Sequence, residues 1–149
     1  RSYEQQWRRP FADMIWVGLI GPAVNLAIVA LMVLLVRSGI IPAETRVGAL
    51  LLRLVYYIIL INLFLGLINL LPVPPLDGSR LVIGLLPGRY AMRILRYELF
   101  VFAGFIALLA VVAILAGGIH EVVLPPLRWI WHVLGLNAAD FDQILGPSG

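Results

Sequence analysis

Three long apolar runs constrain this chain more than any other feature. Met14 to Val36, roughly Val47 to Leu71, and roughly Tyr97 to Gly118 are each long enough to cross about 30 Å of hydrocarbon at about 1.5 Å per residue. Composition points the same way. The 149 residues are 62% hydrophobic, with a mean hydropathy of +1.00, whereas a soluble domain runs to about 45–50% apolar. That much apolar surface cannot fit inside a core of this size. The sequence predicts an all-α polytopic membrane protein with about three transmembrane helices.

The stretches between and after the runs are different in kind. "GSRLVIGLLPGRYAMRILR" is too short and too broken to span. It predicts a short helix from about Ser79 to Leu86, then a basic amphipathic link. "IHEVVLPPLRWIWHVLGL" is amphipathic and rich in tryptophan. Trp129, Trp131 and Arg128 suit the headgroup level, which predicts an interfacial or re-entrant helix. Residues 1–136 read as the transmembrane core and 137–149 as a polar, frayed tail.

Charge sets the orientation. All 11 basic residues are arginine, and cysteine is absent, which excludes disulfides, thiolate metal sites and a cysteine nucleophile. The net charge of +3 does not point to nucleic acid, because the arginines sit in short segments between apolar runs. Arg1, Arg8 and Arg9 precede the first span, and Arg80, Arg89, Arg93 and Arg96 follow the second. Arg37 and Arg46 lie at the opposite end, with Arg53 close enough to snorkel toward them. By the positive-inside rule, the N-terminus and the Asp77 loop are cytoplasmic. The opening "RSYEQQWRRPFAD" lacks an initiator methionine and any signal-peptide pattern. The chain is therefore expected to begin partway through a longer protein.

Polar and small residues recur at helical spacing inside the spans. Gly18, Gly21 and Asn25 share a face of the first, and Asn62, Gly66 and Asn69 share a face of the second. Ala103, Ala107, Ala110 and Gly117 share a face of the third. Such residues either let helices pack closely or line a polar cavity, and both readings stay open. Pro22 is expected to kink the first span and leave backbone groups that need partners.

The second span ends in "NLLPVPPLDG", Asn69 to Gly78. Pro72, Pro74 and Pro75 lack amide hydrogens and push Leu71, Val73 and Pro74 toward extended angles. Backbone of that kind is tolerated at membrane depth only where protein covers it or water reaches it. Asp77 follows directly. It reads as an N-cap for the short helix, as a metal or catalytic carboxylate, or as both. Gly78 lets another group approach the backbone closely.

"NLLPVPPLDG" resembles the hallmark Asn-x-x-Pro-x-x-x-Leu-Asp-Gly motif of the site-2 protease family, zinc metalloproteases that cut within the membrane. Asn69, Pro72, Leu76, Asp77 and Gly78 match it in register. "GPAVN", Gly21 to Asn25, resembles the family's Gly-Pro-x-x-Asn. The order and separation of the two also fit, and the absence of a PDZ-like insertion resembles the compact bacterial subgroup.

The resemblance implies that Asp77 is a zinc ligand. It further implies that Asn69, Pro72, Asn25 and Gly78 contact substrate or orient the site. The other ligands in the family are two histidines of an HExxH helix, whose glutamate is the general base. Zinc so held keeps one position for water, lowers that water's pKa and polarises the scissile carbonyl. This sequence has no HExxH. "HEVVL", His120 to Leu124, has leucine in place of the second histidine and follows the aspartate motif instead of preceding it. His120, Glu121 and His132 therefore inherit no role, and no catalytic residue lies in this chain.

The implied function is an intramembrane zinc endopeptidase that cuts transmembrane segments of regulatory membrane proteins. Asp77 comes from this chain, and two histidines come from an upstream HExxH helix of the same protein. Implied partners are membrane lipid and transmembrane substrates, in a bacterial inner membrane. The alternative is a catalytically inactive relative that binds or scaffolds membrane helices. A transporter or channel would need paired intramembrane charges or repeat symmetry, and the sequence offers neither.

Overall fold

The computed structural model describes residues 2–86 and 88–145, with side chains described from residue 13 onward apart from 14, 88 and 89. Seven helices follow one another: α1 (Ser2–Arg37), α2 (Arg46–Leu70), α3 (Asp77–Leu85), α4 (Gly88–Arg96), α5 (Glu98–Ala116), α6 (Ile119–Val133) and α7 (Ala138–Leu145). No strand occurs among the described residues. Three stretches are long and apolar enough to cross a membrane: Ile15–Arg37, Arg46–Leu70 and Glu98–Ala116. They reproduce the three expected spans to within a few residues. The orienting side chains of Arg1, Arg8, Arg9 and Arg89, and that of Met14 at the start of the first run, lie outside the described residues.

Two units make up the chain. The first comprises Arg1–Val24 and Leu65–Val112. In it, α3 and α4 pack together, with Ser79, Ile83 and Ala91 buried. The expected basic link is in fact the helix α4, which turns Ala91 inward and leaves Arg93 and Arg96 exposed. α5 covers little of the protein. Leu99, Phe100, Ile114 and Leu115 are each more than three-quarters exposed, as suits a lipid-facing span. Ala103, Ala107 and Ala110 are exposed too, so that small-residue face is not buried by the described residues.

The second unit comprises Asn25–Phe64 and Ala113–Gly149. Its core is Val29, Val33, Val55, Ile59, Leu60, Leu63, Leu127, Trp131, Leu136 and Phe141. At 15 residues, α6 is about 22 Å long and falls short of the hydrocarbon thickness. Two expectations fail here. Trp131 is 1% exposed, so it is a core residue and not a headgroup anchor, whereas Trp129 is exposed. Residues 138–145 are not frayed. They form α7, which packs on α6 and buries Phe141.

The turn between α6 and α7 depends on Gly135, at φ +68°. The Gly135 N–H bonds to the His132 carbonyl (2.9 Å) and the Leu136 N–H to the Trp131 carbonyl (3.3 Å). This closes α6 by a Schellman motif that needs a left-handed residue. Leu136 then drops into the core.

Candidate functional site

The site lies in the first unit and is built around the start of α3. α2 ends at Leu70, because Pro72 cannot continue its hydrogen-bond ladder. The chain stays out of helix until Leu76, whose extended backbone (φ −67°, ψ 152°) makes it the N-cap of α3. Asp77 is already the first helical residue. The capping expectation therefore fails: an N-cap side chain comes from the non-helical residue before the helix, and here that residue is Leu76. Ser79 tightens the turn instead, its hydroxyl donating to the Leu76 carbonyl at 2.8 Å.

Two close approaches fix this segment. A Cβ on Gly78 would overlap the Leu70 carbonyl and lie 2.5 Å from the Leu71 carbonyl oxygen. The first turn of α3 therefore presses on the end of α2 at a place only glycine fits. The other approach is from α1. A Cβ on Gly18 would lie 2.7 Å from the Asp77 carbonyl oxygen and 3.1 Å from the Arg80 Cβ. A Cβ on Gly21 would overlap Asp77 Oδ2. The bare face of α1 thus accepts both ends of Asp77.

The remaining carboxylate oxygen, Oδ1, lies 3.8 Å from Arg80 Nε, with the two side chains 31% and 42% exposed. In that much solvent the pair is worth at most about 1 kcal/mol. The carboxylate also sits at the positive end of the α3 dipole, where an acidic side chain helps hold the helix start. Arg80 also lines a hollow of about 100 Å³, together with Pro74, Pro75, Leu95 and Glu98 among others.

Of the other residues singled out from the sequence, Asn69 is half-buried in the last turn of α2 and Pro72 is exposed. Asn25 is half-buried and belongs to the second unit. Asn62 donates to the Ile58 carbonyl of its own helix at 2.8 Å, so it does not tie two helices together. The sequence flagged Gly18 and Gly21 as a face for close packing or a polar cavity, and Gly21 also as part of the Gly-Pro-x-x-Asn motif, but it missed Arg80 as a partner of Asp77. The spacing of Arg80, three residues along a helix from an acid, was the available signal.

Zinc takes three protein ligands in a catalytic site. Among the described residues, no group of three His, Cys, Asp or Glu side chains could hold a metal ion. His120 Nε2 lies 3.3 Å from Glu121 Oε1, and both side chains are more than half exposed. The described residues do not make a zinc site on their own. Asp77 offers one oxygen donor, seated on a glycine face and partly open to solvent.

Comparison with known proteins adds a family and two relatives. Peptidase family M50 matches residues 38–112. A protein with the printed name "Putative zinc metalloprotease Rip3", from two strains of Mycobacterium tuberculosis, is 41% identical over 66 residues. The match covers 44% of this chain and 16% of that relative's length. No solved structure matches the chain.

Proposed function

Because this chain belongs to peptidase family M50, the site-2 protease family, we propose that it is part of an intramembrane zinc endopeptidase. In this reading Asp77 supplies one ligand to a zinc ion whose two histidine ligands lie outside residues 1–149. Asn69, Pro72, Asn25 and Gly78 shape the substrate path or orient the site. The substrates are transmembrane segments of membrane proteins, and the enzyme works in a bacterial inner membrane with the Asp77 loop on the cytoplasmic side.

The seating of Asp77 carries this reading. The two motifs that suggested the family are some fifty residues apart, and Gly21 of one accepts the carboxylate of the other. Asp77 follows a proline-rich segment that comes straight after a membrane-spanning helix, and an ionisable side chain so close to a span points to a functional site.

An inactive relative remains the second reading, favoured by one observation. Asp77 already has a cationic partner in Arg80, and no further donor group joins it among the described residues. The test is to read the native open reading frame upstream of Arg1 and to assay the intact product. An HExxH in an apolar helix before the first span, with cleavage lost in Asp77→Asn, is the expected result. A start codon with no such helix would leave the inactive relative.

A further inference from the structure

We propose that Gly21 is a positioning residue for Asp77: its missing Cβ is the seat of the carboxylate, and that seat decides which oxygen the site presents. Gly18 and Gly21 are three residues apart and share one face of α1. Gly18 admits the Asp77 carbonyl oxygen, the Arg80 Cβ and, at 3.4 Å from a built Cβ, the Leu81 backbone nitrogen. Gly21 admits Oδ2, with the Asp77 Cγ at 3.3 Å. Main chain and side chain of Asp77 are therefore both registered against α1.

An aspartate at the first position of an exposed helix is free to turn about two side-chain torsions. Here one oxygen fills the glycine notch, and Oδ1 is left as the outward oxygen, facing Arg80. Asp77 is thereby set to bind through one oxygen. Glycine inside a helix weakens it, and Pro22 next to it removes the donor for the Gly18 carbonyl. α1 thus carries two helix-weakening residues in a row at the turn that meets Asp77. The Gly-Pro pair and the Leu-Asp-Gly triplet are the two halves of one device, a notch and the carboxylate it holds.

The consequence for metal binding rests on the reading of Asp77 as a ligand; the seat itself does not. A double-mutant cycle separates them. The intact protein is purified in detergent as wild type, Gly21→Ala, Asp77→Ala and the double variant, and Tm and zinc content are read for each. Gly21→Ala should lower Tm by about 3 °C or more in the wild-type background. In the Asp77→Ala background it should leave Tm unchanged or raise it by a few degrees, because no carboxylate is left for the new methyl to meet and alanine favours the helix. Gly21→Ala should also weaken zinc retention by about tenfold or more, as losing a group that orients a metal ligand does.

A Gly21→Ala protein that fails to fold alone but folds alongside Asp77→Ala supports the seat. Equal losses in both backgrounds, or none in either, overturn it. Full zinc content in Asp77→Ala defeats the ligand reading alone, and the Tm cycle still decides the seat.

Discussion

The rings of Trp131 and Phe141 meet edge to face with their centroids 5.4 Å apart. Tyr56 of α2 packs on the same indole at 5.5 Å, and the indole N–H donates to the Asn137 carbonyl at 3.0 Å. Arg128 stacks over Phe141 at 5.6 Å and pairs with Asp142. The last helix thus closes the core of its unit. Phe141→Ala should cost about 3–5 kcal/mol. A thermal melt in detergent checks this, and a Tm within about 1 °C of wild type would return α7 to the status of a loose tail.

The spans were legible because run length alone decides them. An apolar stretch of that size can only cross a bilayer or be buried whole, and this chain is too small for the second. The tail was misread for a physical reason as well. "AADFDQIL" is too short for its pattern to announce a helix, and its stability comes from contacts of Phe141 and Asp142 that only the fold supplies. A start signal was present: Asn137 accepts the Ala139 N–H at 3.1 Å, as an N-cap asparagine does. The site was legible as a motif but not as a geometry. Placing the helix start near Ser79 when it lies at Asp77 turned a first-turn acid into a cap. No sequence rule says that two glycines in one helix leave room for a carboxylate in another.

Arg37 bridges to the far end of the second unit, its Nη2 donating to the Leu134 carbonyl at 2.6 Å. That carbonyl belongs to the capped end of α6, where a cation is favoured by the helix dipole. Gly135→Ala would disturb both features. Its Cβ would lie 2.5 Å from Arg37 Nη2, and φ +68° suits glycine. The expected cost is about 1–2 kcal/mol, read as a fall in Tm. Arg37→Gln should soften the same melt by less, since the guanidinium is exposed. A Gly135→Ala protein as stable as wild type would show that the α6–α7 turn has another conformation available.

Two glycines give opposite expectations for one substitution. Gly78→Ala sets a methyl against the Leu70 and Leu71 carbonyls, backbone atoms that cannot swing aside. It should cost about 2 kcal/mol or more and displace the start of α3. Gly104→Ala, in the exposed middle of α5, meets nothing within 4 Å. It should leave stability unchanged or raise it by up to about 1 kcal/mol through helix propensity. Parallel melts of the two variants test the contrast, and equal effects would mean that α3 does not press on the end of α2.

Asp77→Asn keeps the shape of the side chain and removes its charge. The ion pair with Arg80 is lost, but with both groups partly exposed that loss is worth at most about 1 kcal/mol, and the protein should still fold. An amide is a far poorer zinc ligand than a carboxylate. If Asp77 belongs to a zinc site, the intact Asp77→Asn protein should lose its metal and its cleavage of a transmembrane substrate together. Arg80→Gln serves as the companion variant, because it breaks the same ion pair and leaves the carboxylate in place. Zinc content measured on both proteins separates the two roles. Zinc lost from Asp77→Asn and retained in Arg80→Gln is the expected pattern; zinc retained in both would leave Asp77 as no more than the Arg80 partner.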